Sequence, residues 1–248
     1  MKRLIALLSL AALLTIGIYN QVYAQDQGSQ TTTTQVTESR GFHQIVKTYF
    51  IQGGAGFMAS ILLCLILGLA ISIERTLYLN LSGTNTKKLL NQLESALESK
   101  GIDAAKDVCT NTRGPVASIF FQGLTRYDEG LEMVEKSVVS YGSVLMGRLE
   151  NGLSWISLFI ATAPMLGFLG TVIGMVVAFD AIEAAGDISP TVVAGGIKIA
   201  LLTTVFGLIV AIILQFFYNY LVAKIDSLVN DMEDSSISFI DILSKYKK

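Results

Sequence analysis

The sequence has few of the residues on which soluble enzymes and metal sites depend. Its 248 residues include one histidine, His43, two cysteines, Cys64 and Cys109, and three prolines. Two cysteines without metal-ligand spacing exclude a disulfide framework and a cysteine-based zinc site, and a single histidine excludes a histidine cluster. The sequence has no nucleophile elbow and no phosphate-binding loop. We therefore expect a protein that is not an enzyme and that holds no metal or cofactor.

Charged residues are also scarce, which argues against a soluble domain. They make up 15% of the chain, whereas a soluble domain carries about 25%. The net charge of −2 excludes an obvious basic surface for nucleic acid. What the chain has instead is 52% hydrophobic residues, 22 glycines and a mean hydropathy of +0.56. This composition is typical of membrane helices that pack through small residues.

The amino-terminal end has the pattern of a secretory signal peptide. Lys2 and Arg3 precede an apolar run at residues 4–18, and Ala24 offers a small-residue cleavage site. The alternative is a short additional transmembrane helix, but the run has about 15 residues where about 20 are needed to span a membrane. We predict that residues 1–24 are cleaved. Residues 25–52 would then form a periplasmic tail that ends in an amphipathic helix at the membrane surface.

Three later segments are apolar and long enough to cross a membrane. They lie at residues 53–75, 153–179 and 192–220. The fold class predicted is therefore an all-α polytopic membrane protein with three transmembrane helices. The polar remainder consists of residues 76–152, a hairpin loop at 180–191 and a tail at 221–248.

The polar regions carry helical patterns of their own, which predict long helical extensions of the spans. Apolar residues recur at helical spacing after the first span, with Gly101 as an expected helix end. A second helix is expected to start after Gly114-Pro115. Pro164 is the only proline between Glu129 and Phe179, so we expect one long helix to run into the second span. The helical spacing of apolar residues in the third span likewise continues into the tail.

The distribution of lysine and arginine predicts the orientation of the spans. Residues 75–148 carry nine of them, whereas the loop at 180–191 carries none. Because cytoplasmic segments are rich in lysine and arginine, we expect region 76–152 and the tail in the cytoplasm. The hairpin loop and the mature amino terminus would then be periplasmic, which agrees with the signal peptide.

Small and polar residues within the second and third spans form the candidate site. Four glycines allow close approach of two helices, and they are Gly167, Gly170, Gly174 and Gly207. Pro164 bends the helix that carries it. Thr171 and Thr204 place hydroxyl groups at membrane depth, where polar groups mark functional sites. The alternative is that the threonines bond to their own helices and the glycines serve packing only.

Two motifs carry a resemblance to a known family. The second span contains APMLGFLGTVIGM at residues 163–175, and the third contains GIKIALLTTVFGL at residues 196–208. Together with the order of the elements, they resemble the MotA/TolQ/ExbB proton-channel family, most closely its ExbB branch. The resemblance covers about residues 53–228.

The resemblance implies a homopentamer in the bacterial inner membrane whose second and third spans enclose a pore. A dimer of a single-span, ExbD-like partner would sit in that pore and supply a membrane aspartate. Thr171 and Thr204 match the family's two pore-lining threonines. Proton flow would drive a motion that passes to a TonB-like protein and energises transport across the outer membrane.

The chain departs from the family's pattern at Ile199. ExbB and TolQ proteins often have a glutamate at this position, five residues before the second pore threonine. Without it, no carboxylate remains in the middle of the second or third span. The partner must therefore supply the titratable group, as it does in the MotA branch.

Three charged residues near the ends of the spans complete the candidate set. Lys198 lies about 120° round its helix from Thr204, and its long stem can reach the membrane surface or Asp180. The alternative for Lys198 is a role at the flank of the pore or at a subunit interface. Glu74 and Arg75 are expected to anchor the inner end of the first span.

Two other functions fit the same residues. One is the stator of a flagellar or gliding motor, which a partner with a peptidoglycan-binding domain would favour. The other, from a different class, is a membrane scaffold that assembles without conducting ions.

Overall fold

The computed structural model describes residues 42–186 and 190–246, and within these ranges it contains helices and turns but no strand. The all-α prediction is therefore confirmed for the described residues. The predicted signal peptide lies outside them. The helices are α1 Phe42–Gln52, α2 Ala55–Leu81, α3 Thr86–Lys100, α4 Ile102–Asn111, α5 Pro115–Thr125, α6 Leu131–Leu149, α7 Leu153–Ala185 and α8 Pro190–Tyr246.

Three helical segments are long and apolar enough to cross a membrane. They are Ala55–Leu81, Leu131–Ala185 and Val193–Tyr246. The number agrees with the three spans that the sequence predicts. Residues Val46–Lys248 form one compact unit, and of the preceding unit, Met1–Ile45, the structure describes only residues 42–45.

The helix expected to run without a break into the second span is interrupted at residues 150–152. There α6 ends at Leu149, and Gly152 has a φ of 88° before α7 begins at Leu153. This left-handed conformation is costly for residues other than glycine, so Gly152 separates two helices that the apolar pattern had joined. The absence of proline was not sufficient evidence for continuity.

Helical structure extends from both sides into the loop predicted at residues 180–191. Helix α7 continues to Ala185 and is capped by Gly186, whose φ is 66°. Helix α8 then begins at Pro190, in keeping with the preference of proline for the first turn of a helix. Helix formation needs no apolar residues, so the polar stretch after Phe179 continues the helix.

The largest core lies among α3, α4, α5, α6 and the carboxyl-terminal part of α8, a region that we call the polar bundle. The Phe120 and Phe239 rings stack with centroids 4.5 Å apart. From Leu221 onward, α8 buries apolar residues at helical spacing, as the sequence predicts, including Ile225 and Met232. One 57-residue helix therefore belongs to both the third span and the polar bundle.

A second, smaller core holds the three spans together. It consists of Ile61, Cys64, Ala163, Val210 and Leu214. Cys64 is thus a core residue. Large apolar side chains elsewhere on the spans are exposed, which is the pattern of helices that present their outer surface to lipid.

Candidate functional site

Helices α7 and α8 pack backbone to backbone along a line of glycines. A Cβ atom added at Gly207 would lie 2.6 Å from the carbonyl oxygen of Ala163, and one added at Gly167 would lie 2.8 Å from that of Thr203. Real Cβ contacts are essentially never that short. Only glycine therefore allows this approach, which we call the α7–α8 seam.

The seam continues toward the carboxyl end of α7 through two more glycines. A Cβ atom at Gly170 would lie 2.7 Å from the Thr203 side chain, and one at Gly174 would lie 3.2 Å from the backbone nitrogen of Ala200. The structure thus brings all four glycines of the candidate site into a single contact. Pro164 lies within the same helix, half-buried, and α7 continues through it.

The two candidate threonines lie at the same level of this seam. The Thr204 hydroxyl donates a hydrogen bond of 3.3 Å to the Gly167 carbonyl on the facing helix. In an α-helix that carbonyl points toward the backbone N–H four residues on, which is that of Thr171. The Thr171 hydroxyl donates to its own helix, at 2.6 Å from the Phe168 carbonyl. Both threonines are half-buried in the single chain.

Thr203 is a residue of the seam that the analysis of the sequence did not assign to the site. It is completely buried, its hydroxyl donates to the Ala200 carbonyl at 2.8 Å, and its side chain faces Gly170. Thr203 thus fits the alternative in which a threonine bonds to its own helix. Thr203 and Thr204 are neighbours in sequence, and only the crossing of α7 and α8 decides that Thr203 is buried against Gly170 while Thr204 donates to the facing helix.

Ile199, the position that departs from the family's pattern, faces another span. Ile199 is half-buried, and a Cβ atom added at Gly54, just before α2, would lie 4.0 Å from its Cγ2 atom. Lys198, one residue earlier, is exposed, as is Asp180. Among the described residues, no ion pair is formed by Lys198. Lys198 therefore lies on the surface near the start of α8.

Glu74 and Arg75 have different surroundings although they are adjacent. The Arg75 side chain is 16% exposed and that of Glu74 is 60% exposed, with Arg75 Nε 3.1 Å from Glu74 Oε2. That contact has the distance of an ion pair without the direction of a hydrogen bond, because Nε is a buried donor with no acceptor among the described residues. The Arg75 guanidinium also lies 5.4 Å from the Tyr78 ring centroid.

Arg75 packs against the break between α6 and α7. A Cβ atom added at Gly152 would lie 3.2 Å from Arg75 Nε. Arg75 thus lies between the carboxyl-terminal part of α2 and the start of α7, whereas Glu74 is exposed.

The chemistry that the seam offers is hydrogen bonding. The middle of the second span and of the third span contains hydroxyl and carbonyl groups and no carboxylate. No group of three metal-ligating residues occurs among the described residues. The site can bind a protonated or ionised group brought by another chain, and it contains no carboxylate with which to hold a proton itself.

These features define a class of protein: a chain that is helical in its described part, with three potential membrane spans, of which the last two pack through glycines and carry threonines at their contact. The sequence profile of the MotA/TolQ/ExbB proton channel family matches residues 111–234, half of the chain. This chain belongs to the MotA/TolQ/ExbB proton channel family. The resemblance carried by the two motifs is thereby confirmed.

Individual relatives agree with this assignment. A putative biopolymer transport protein ExbB homolog of Methanothermobacter thermautotrophicus is 32% identical over 169 residues, which are 68% of this chain and 60% of that protein. The biopolymer transport protein ExbB of Xanthomonas campestris pv. campestris is 37% identical over 94 residues, 35% of this chain and 37% of the relative. The chain thus spans 60% or less of the length of these two relatives.

A solved structure shares the fold. The structure titled C. jejuni MotAB matches with a TM-score of 0.58 at 18% identity, over 96% of this chain and 87% of the other. At this identity the match is evidence for the fold only. It extends the similarity to nearly the full length of the chain, well beyond the region that the family profile covers.

Proposed function

We propose that this chain is the channel subunit of an ExbB–ExbD–TonB-like complex in the bacterial inner membrane, which uses the proton motive force to energise transport across the outer membrane. The observation that carries the proposal is the hydrogen bond from Thr204 to the Gly167 carbonyl. It places the hydroxyl-bearing residues of two spans at one depth, beside a seam without a carboxylate. Such a site suits a partner that brings its own titratable group.

In this proposal Thr171 and Thr204 line the pore and face the aspartate of a single-span, ExbD-like partner. A threonine hydroxyl both donates and accepts hydrogen bonds. It can therefore donate to the ionised aspartate and accept from the protonated one, and this stabilises both states during proton transfer. A charge that crosses 100 mV releases roughly 2.3 kcal/mol, so a few protons suffice to drive a substantial motion of the partner.

The assembly proposed is a homopentamer with the polar bundle in the cytoplasm and the α7–α8 turn in the periplasm. The charge distribution supports this orientation, since residues 75–148 carry nine lysines and arginines. The exposed apolar side chains of α7, such as Met165 and Phe168 at 68% and 67% exposure, supply surface for lipid and for neighbouring subunits. A TonB-like protein would receive the motion. The names of the ExbB relatives favour this system.

The stator of a motility motor is the second candidate, which the fold shared with C. jejuni MotAB favours. The two candidates differ in the partner rather than in this chain. Co-purification decides between them: a single-span partner with a peptidoglycan-binding domain would indicate a stator, and recovery of a TonB-like protein would indicate the transport system.

Proton flux into liposomes that contain this chain and its partner tests the proposal. We expect Thr204→Val and Thr171→Val to lower the flux about tenfold or more, since a hydrogen bond to a charged group contributes about 1.5–3 kcal/mol. Thr162→Val is the matched control, because Thr162 lies on α7 about 180° round from Thr171 and donates to its own helix. Unchanged flux in both pore variants would contradict the pore assignment, and absence of flux in the unmodified complex would favour the scaffold.

A further inference from the structure

Two exposed amide side chains lie on α8 on the carboxyl-terminal side of Thr204. Gln215 donates a 3.0 Å hydrogen bond from Nε2 to Asn219 Oδ1, and both residues are exposed. The ten residues between Thr204 and Gln215 have no polar side chain. Polar side chains on a helix that spans a membrane are costly against lipid, so they usually face water, a cavity or another helix.

Gln215 lies on nearly the same face of α8 as Thr204. At 100° per residue, Gln215 lies about 20° round α8 from Thr204, and Val222 lies at about 0°. Asp226, beyond the apolar part of the helix, lies at about 40°. One face of α8 thus runs from the threonine through the amide pair toward the polar bundle.

A cavity lies at the end of this face. It has a volume of about 700 Å³ and occupies the space between the α6–α7 turn and α8. Its lining includes Asn151, Ser154, Ser157, Tyr218, Val222 and Asp226. Arg148 near the end of α6 and Glu150 of the turn also line it, so that seven polar or charged side chains face the cavity. A cavity with this lining is suited to hold water.

The cavity lies on the same side of α7 and α8 as Thr171 and Thr204. Ser157 lies about 40° round α7 from Thr171. Ser157 and Tyr218 each lie fourteen residues along their helices from Thr171 and Thr204, which is about 21 Å at 1.5 Å per residue. They therefore reach one depth, and the cavity lining contains both.

The charges around the cavity are mixed. Arg148, Glu150 and Asp226 line it, and Arg75 lies behind Gly152 at the same turn. Two carboxylates beside two guanidinium groups leave no net charge, so the lining does not select an anion such as a lipid phosphate. Hydration is the property that these side chains share.

We infer that this cavity is the inner vestibule of the channel, a hydrated compartment through which protons pass between the threonine level and the solvent around the polar bundle. The Gln215–Asn219 pair supplies polar side chains on this route, between the threonine level and the cavity. The inference rests on the proposed function, because it takes the threonine face of α7 and α8 to border the conduction path. It adds the route by which protons reach the other side.

Cysteine accessibility tests the vestibule. Ser157→Cys and Gln215→Cys are made in the full chain, assembled with its partner in inside-out vesicles, and treated with a membrane-impermeant charged thiosulfonate. The matched controls are Leu158→Cys and Phe216→Cys, exposed positions one residue further along and about 100° round each helix. We expect the vestibule cysteines to react at least about tenfold faster, because a hydrated thiol ionises to the reactive thiolate.

Proton flux in the same vesicles gives the second measurement. Modification of Ser157→Cys is expected to lower the flux about tenfold, and the same treatment of Leu158→Cys is expected to leave it unchanged. Equal labelling of vestibule and control cysteines would overturn the inference, as would fast labelling without loss of flux. In both cases, normal flux in the complex without cysteine substitutions leaves the proposed function intact. Absence of flux in the untreated complex would contradict both.

Discussion

Replacing Gly207 with alanine introduces a methyl group into the α7–α8 seam. The added Cβ atom would lie 2.6 Å from the Ala163 carbonyl oxygen and 3.3 Å from the Gly167 Cα atom. Both are backbone atoms, so no change of side-chain rotamer can relieve the contact. The two helices must separate by about 1 Å to restore ordinary van der Waals distances, and this shift weakens the Thr204–Gly167 hydrogen bond on the same seam.

The magnitude follows from two opposing effects. An alanine within a helix is more favourable than a glycine by up to about 1 kcal/mol. Overpacking of a tight contact costs about 1–3 kcal/mol. Gly195→Ala is the matched control, because Gly195 lies in the same helix and an added Cβ atom there meets nothing within 4 Å. The difference in the free energy of unfolding between the two variants isolates the steric cost, about 1–3 kcal/mol.

Thermal unfolding of the purified complex in mild detergent measures this difference. For a chain of this size, 1 kcal/mol shifts Tm by about 2–4 °C. We expect Gly207→Ala to unfold below Gly195→Ala by several degrees, and Ala163→Gly not to rescue it, since the contact is with a carbonyl oxygen. If Gly207→Ala were as stable as Gly195→Ala, the close approach of α7 and α8 would be refuted.

Three further predictions concern other parts of the chain. Gly196→Ala is expected to lower Tm because its Cβ atom would meet the Ala178 side chain, and Ala178→Gly should restore most of the loss; no recovery in the double variant would contradict this contact. Phe239→Ala removes a fully buried ring stacked on Phe120, and we expect a loss of about 3–5 kcal/mol by denaturant unfolding, against a small effect if the polar bundle were loosely packed. Burial raises the pKa of Cys109 to about 12, so its thiol should resist alkylation at pH 8 until the protein is denatured. Rapid alkylation of the native protein would contradict the buried position. Because the unfolded thiol ionises near pH 9.0, the folded state should also lose stability as the pH rises from 9 toward 12.

Much of the fold was predictable because it depends on local patterns. Apolar runs of sufficient length predict three spans, and helical spacing after Leu221 predicts the long continuation of α8. Gly101 ends α3 as expected. The break at Gly152 was not predictable, because a glycine within a helical pattern is compatible both with close packing and with a left-handed turn. The packing of Arg75 against that glycine belongs to the tertiary structure.

The candidate site was predictable in its residue types and less so in its geometry. The glycine and threonine motifs point to the second and third spans, and the sequence alone reveals that these spans contain no central carboxylate. What each of the two adjacent threonines contacts in the seam depends on the angle and register of the helix crossing. Thr203 is buried there, whereas Thr204 donates to the facing helix.

The sequence by itself determined the class of protein, the number of candidate spans and the absence of a carboxylate from the middle of the second and third spans. These depend on composition and on periodicity along single helices. Only the tertiary structure decided which glycines meet backbone, where the α6–α7 helix breaks, and that Ser157 and Tyr218 share a cavity though they are far apart in the chain. The physical reason is that a helix pattern fixes the face on which a residue lies, while packing between helices decides what that face contacts.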